Sequence, residues 1–394
     1  MMWSGVRSGA SRLRRWGPEL TAGLTALSVG VLAGSLATGP APASAGPVGT
    51  LATEVTATVW AHSPTTAEYQ ITGGYTANST GNPVTIRRTG VGAYTVVLEG
   101  AATSGGVAHV VAYGGGPVHC TVVAWGRSLS GVDQEILVRC FAATGAAVDS
   151  RFVATYTNVR QIGQGRLAYF WTDQAVPTGL RTITHGYRYD STGGPISYER
   201  IGTGHYRFHM NRNPDSEYGA PIFPMTHVTA YATGAVHCQT GWPDSREVWC
   251  VNAAGNPVDS RFTVTYGSRV DLLGRSTGPR FASGTLYRDT VRDGRISGDS
   301  YNSTLPGYGG TSGTVFGTNV GQYMMTFTGT ATPFGTAFVN AHRGMFDSDP
   351  RGHCVLVGWS SLGADTQIRV NCYRYLGVPA NLNARISFTT WPAG

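Results

Sequence analysis

Lysine is missing from this chain: all 29 cationic side chains are arginine, set against 22 acidic ones, and charged residues make up only 13% of 394 positions. An all-arginine cation set fits a GC-rich coding sequence better than selection for phosphate recognition. Beyond residue 45 no arginine cluster alternates with aromatics, so a nucleic-acid partner is not expected. Charge this sparse does not make the solvent faces of amphipathic helices. The 55 Gly and 19 Tyr, with abundant Val and Thr, instead suit short strands joined by tight turns. No pair of carboxylates stands out as an acid and a base for glycoside chemistry.

The one long apolar run, Leu20 to Gly39, follows Arg7, Arg12, Arg14 and Arg15 and ends in Ala43-Ser44-Ala45. That order is the pattern of a secretory signal peptide cleaved after Ala45. An uncleaved anchor is the competing reading, since the run is nearly long enough to span a bilayer. Trp16-Gly17-Pro18 does not continue a twin-arginine motif, which favours general secretion. Loss of the segment removes four Arg and Glu19 and lowers the net charge from +7 to about +4. No second apolar span follows, so the expectation is a secreted, extracellular chain with no membrane span after cleavage.

Six cysteines in an exported chain read as a disulfide framework. His119-Cys120, His237-Cys238 and His353-Cys354 recur at intervals of 118 and 116 residues. After each comes a tryptophan, Trp125, Trp242 or Trp359, and then a second cysteine, Cys140, Cys250 or Cys372. The rest of the unit repeats with them. Gly92-Ala93-Tyr94, Gly204-His205-Tyr206 and Gly321-Gln322-Tyr323 precede the first cysteine. Tyr75 to Gly81 matches Tyr187 to Gly193, a segment altered in copy three. Val148-Asp149-Ser150-Arg151-Phe152 matches Val258-Asp259-Ser260-Arg261-Phe262, and Asn383-Ala384-Arg385-Ile386 is the looser third version.

The chain is therefore expected to be all-β, with three tandem β-sandwich or jelly-roll-like domains over residues 51–158, 166–267 and 280–394, after the signal peptide 1–45. In a linear array, a bridge between copies would have no counterpart at the ends. The predicted pairs are therefore Cys120 with Cys140, Cys238 with Cys250 and Cys354 with Cys372, each between neighbouring antiparallel strands.

The repeated Val-x-Ala-Tyr, His-Cys-x-Val-x-x-Trp, Val-x-Cys-Phe and Gly-x-Pro-Val-Asp-Ser-Arg-Phe-x-Val-x-Tyr resemble tandem β-repeats in exported proteins of actinobacteria and myxobacteria. The resemblance covers nearly the whole chain beyond the leader. It implies secretion and a repeat architecture and assigns no catalytic residue. Tyr187 to Gly193, followed by Gly204 to Phe208, is also similar to the complement C1q-like jelly roll.

Ser150, Asp149 and His119 offer the residue types of a nucleophilic triad. The recurrence of Asp-Ser-Arg at 259–261, at the start of a strand, favours turn bonding instead. His119 and Cys120 are adjacent in a strand and point to opposite faces, so they do not converge on one metal ion. Asp347-Ser348-Asp349 with Gly352 has the oxygen ligands of a calcium loop without the full motif and reads as a solvated turn. No catalytic residue, metal or cofactor is expected.

The aromatics carry the binding hypothesis. Trp125, Trp242 and Trp359, with Trp60, Trp171 and Tyr287 near the copy starts, read first as packing beside a disulfide and second as sugar-stacking platforms. Trp249 and Trp391 have no counterparts and read as surface or contact residues, and Trp249 joins Trp125, Trp242 and Trp359 as a candidate ligand-binding residue. The expected function is non-catalytic binding or adhesion, with a glycan or cell-envelope component as partner. A hydrolase with its site in loops of one copy, such as 211–224 or 342–353, and a structural surface or spore-coat component are the alternatives. The oligomeric state is not specified by the sequence.

Overall fold

The computed structural model describes residues 54–71, 73–210, 225–241, 246–287, 301–305, 313–343 and 351–391. The expected leader, Trp242, Asp347 to Asp349 and the 211–224 loop lie outside the described residues. Among those described, almost every ordered element is a strand, the exception being a 3-10 turn at Tyr375–Gly377. No described helix is long and apolar enough to cross a membrane.

Each copy divides its strands into two sets that lie in different sheets. In copy one, Val107–Tyr113, Arg151–Asn158, Val55–Ala61 and Ala77–Asn78 form one set. His119–Arg127, Gln134–Phe141, Ala93–Leu98, Val84–Gly90 and Glu68–Ile71 form the other. The second set shows the alternation read from the sequence: Tyr94, Val96 and Leu98 face the core opposite Val138, Ile136 and Gln134. In the first set, Arg151–Asn158 and its equivalents Arg261–Ser268 and Asn383–Thr390 are buried along almost their whole length. Burial on both faces is the property of a strand with protein on either side. Here the second face packs on the other copies, as when His109 of copy one bonds Thr229 and Thr265 of copy two.

The sheets themselves are shared between copies. An eight-stranded sheet joins the second set of copy three to the first set of copy one, and two nine-stranded sheets join one to two and two to three in the same way. The joints are short parallel bridges at Val122 with Tyr231, Thr240 with His342, and Leu356 with Tyr113. The expected linear array is thus a closed ring with approximate threefold symmetry. A length-wise reading of the repeats does not reveal this, because the closing joint connects the two ends of the sequence. The turns beyond the second cysteines close the same cycle. A Cβ at Gly145 would meet Ala253, one at Gly255 would meet Tyr375, and one at Gly377 would meet Ala143. Each copy keeps its own disulfide, Cys120–Cys140, Cys238–Cys250 and Cys354–Cys372, joining residues opposite each other on adjacent antiparallel strands.

Register corrects three of the matches to copy three. Asn381, not Asn383, takes the place of Asp149 and Asp259: its Oδ1 accepts the N–H of Gly321 at 2.8 Å, as Asp149 accepts Gly92 and Asp259 accepts Gly204. These glycines sit at φ of 64°, 65° and 68°, where a Cβ would meet the second cysteine's carbonyl oxygen at 2.4–2.6 Å. The turn thought altered in copy three is present as Tyr301 to Thr304. Thr304 N donates to Asn302 Oδ1 as Thr80 does to Asn78 and Thr192 does to Asp190. Finally, Thr285, opposite Arg385, stands where Trp60 and Trp171 stand, and Tyr287 lies two residues beyond.

Candidate functional site

The tryptophans after the first cysteines sit at the joints of the ring. Trp125 is 8% exposed and is edged by Tyr231, Tyr187 and Trp171 of copy two at 5.5, 5.7 and 6.2 Å. Its indole N–H donates to Gly105 O at 3.3 Å. Trp359 repeats this against Tyr113 and Tyr75 of copy one, at 5.6 and 5.9 Å, with its N–H on Gly335 O. Arg261 lies 4.7 Å from the Tyr231 ring, and Arg151 lies 5.3 Å from that of Tyr113. With its ring edged by three aromatics and its N–H bonded, Trp125 offers no open stacking face, and its aromatic area serves to join copies. Trp249 occupies the third joint, stacked on His205 at 3.6 Å with Arg343 of copy three 4.0 Å from its ring.

The imagined triad is not assembled. Asp149 is held by Arg88 at 2.8 and 3.0 Å, by Gly92 N–H and by Tyr94 O–H, and the Arg88 guanidinium keeps its carboxyl below the usual carboxylate range. Ser150 donates to the carbonyl of Arg151. His119 lies with His237 and His353. Gly274-Arg275-Ser276-Thr277-Gly278 has the residue spacing of a serine elbow. Ser276, however, lies in a turn with no helix after it, and its Oγ accepts the N–H of Gln164.

Two structural features pass beyond packing. The first is a groove of about 560 Å³ where the end of copy three meets copy one, with Trp391, Phe334 and Arg275 on one side and Thr76, Asn78 and Ser79 on the other. Trp391 donates its indole N–H to the buried Thr58 at 2.8 Å, and Arg275 lies 4.4 Å from its ring. Arg275 is itself fixed by Asp271 Oδ2, Thr389 Oγ1 and Thr390 O. Phe334 lies so close to Gly74 that a Cβ there would fall 1.6 Å from its ring. A second cleft of about 380 Å³ adjoins, sharing Thr56, Ser79 and Arg275. Sequence comparison of copies could mark Trp391 as lacking a counterpart, but could not bring it to Thr58.

The second feature lies where all three copies meet. The rings of His119, His237 and His353 stand 5.1–5.6 Å apart around a cavity of about 40 Å³, lined also by their neighbouring cysteines and by Val110, Val228 and Val339. Burial lowers the imidazole of His119 to about 4 and that of His353 to about 3, and lowers His237 well below the ordinary value. The three histidines lie at successive intervals of 118 and 116 residues in sequence and converge only because the ring closes. Among the described residues, no group of three His, Cys, Asp or Glu side chains is placed to hold a metal ion.

Searches for resemblance return no matching family model, no matching curated protein and no matching solved structure.

Proposed function

We propose that the chain is an exported, non-catalytic binding protein and that its glycan or envelope ligand occupies the groove beside Trp391. The observation that carries this reading is the groove's composition: two aromatic rings, a fixed guanidinium, and the hydroxyls of Thr76 and Ser79, which accept the N–H groups of Trp60 and Thr56 and keep their O–H donors. Saccharides are held by that combination, with apolar C–H faces on rings and hydroxyls on short polar groups. The bonds from Trp391 to Thr58 and from Arg275 to Asp271 pre-set the site, which lowers the ordering cost of binding. The three disulfides support export, since such bonds persist in oxidising compartments. The proposal moves recognition from the repeated tryptophans, which join copies, to one joint.

The test is a glycan array probed with the whole chain, because its sheets are shared and a single copy is not an independent unit. Binding that falls at least tenfold in Trp391→Ala and persists in Trp249→Ala supports the proposal. Unchanged binding in Trp391→Ala overturns it. Turnover of a chromogenic ester or glycoside panel would replace it with a hydrolase.

A further inference from the structure

Two trios of residues meet where the copies converge, and they differ in one respect. In the first, His109 bonds Thr229 and Thr265 of copy two through its two ring nitrogens, and His227 bonds Asn340 and Ser387 of copy three. Its third member is Phe338, 6.0 and 5.0 Å from those rings. This trio is satisfied by protein, and a hydrocarbon ring substitutes in one copy.

In the second trio all three copies keep histidine. Five buried ring nitrogens there have no protein partner: Nε2 of His119 and both nitrogens of His237 and His353. The residues are only 5%, 7% and 8% exposed. Leaving buried polar atoms unpaired is destabilising, so shape alone gives no reason to keep histidine where Phe338 shows an aromatic hydrocarbon fits the neighbouring trio. The cavity between the rings has room for a few water-sized occupants.

We propose that this axial chamber is a binding site for one monovalent inorganic anion of halide size, taken up together with a proton on the histidine trio. A protonated imidazole offers two N–H donors and a neutral one offers one, so three convergent rings can surround an anion with donors. No arginine or carboxylate lines the cavity. The rings around the trio are Phe141, stacked on His119 at 5.6 Å, and Tyr373, 5.9 Å from His353, and the polar Thr229 and Asn340 also line the cavity. Arg351 lies on the turns above, bonded to Gly255 O, and Arg385 bears on His227 and His342. With no carboxylate at hand, an anion is the counter-charge that lets a buried imidazolium form. The chamber is independent of the Trp391 groove.

The probe is sodium bromide with the whole chain. At pH 4.5, a crystal should show a bromide anomalous peak between the three rings, and calorimetry in two buffers of different ionisation heat should show about one proton taken up per bromide. At pH 8 both signals should be absent. The variant His119→Gln, His237→Gln, His353→Gln should lose the binding. If that variant does not fold, the anomalous peak and the proton count on the unaltered chain still decide. No peak at pH 4.5, bromide binding without proton uptake, equal binding by the folded variant, or a transition metal in the chamber would each overturn the proposal.

Discussion

Tyr113 of the first copy stands opposite Leu356 of the third in a parallel bridge. That pairing closes the ring, and the Tyr113 ring then packs on Trp359 and Trp60 at 5.6 and 5.5 Å. Since every sheet draws strands from two copies, no copy can complete its own sheets alone. Residues 46–394 should unfold in one cooperative transition, with calorimetric and van't Hoff enthalpies in agreement. Residues 51–158 expressed alone should lack near-ultraviolet circular dichroism. Three separate transitions would count against shared sheets.

Arg88 with Asp149 and Arg200 with Asp259 are replaced in copy three by Gly317 with Asn381, at the same register positions. The chain thus contains its own double substitution. Arg88→Gly alone should lower the urea midpoint, because Asp149 loses its charged partner. Arg88→Gly with Asp149→Asn should lower the urea midpoint by less than the sum of the two single changes. Strict additivity would show that the pair is not the unit inferred here.

Trp125→Ala removes a buried indole at the joint between copies one and two and should destabilise the chain by about 3–5 kcal/mol. The half-buried Trp249 should cost less in the same change. Urea midpoints at constant slope give the comparison, and a loss of under about 1 kcal/mol for Trp125→Ala would contradict its role at the joint.

Near-complete burial holds six histidines, His109, His119, His227, His237, His342 and His353, below the ordinary imidazole value of 6.5, and partial burial lowers His185 and His205 as well. With no anion bound, each stays neutral in the fold while the unfolded chain takes a proton. Stability should therefore be full above about pH 7 and fall as pH drops through 6.5 toward 4, by up to about 1.4 kcal/mol per pH unit per histidine. His227→Gln should reduce that slope by about one histidine's share. An unchanged slope in urea titrations at pH 8, 6 and 5 would contradict burial of His227 in neutral form.

The fold class was legible because strand alternation, turn residues and paired cysteines are local signals, repeated three times. Alternation at Tyr94, Val96 and Leu98 and the cysteine spacing express one copy's own packing. Ring closure was not legible: it depends on which copy's Tyr113 or Tyr231 meets which copy's Val122 or Leu356, and identical motifs suit a string equally well. Copy three was misaligned by two residues because Asn381 does the work of an aspartate without its arginine. The Trp391 groove and the histidine chamber draw on residues far apart in sequence, so no spacing announces them.

Small-angle scattering from residues 46–394 tests the closed ring most directly. A compact ring of about 350 residues should give a radius of gyration near 20 Å with a single-peaked distance distribution. A string of three separate sandwiches would give about 30 Å with a long tail, and that result would contradict the account.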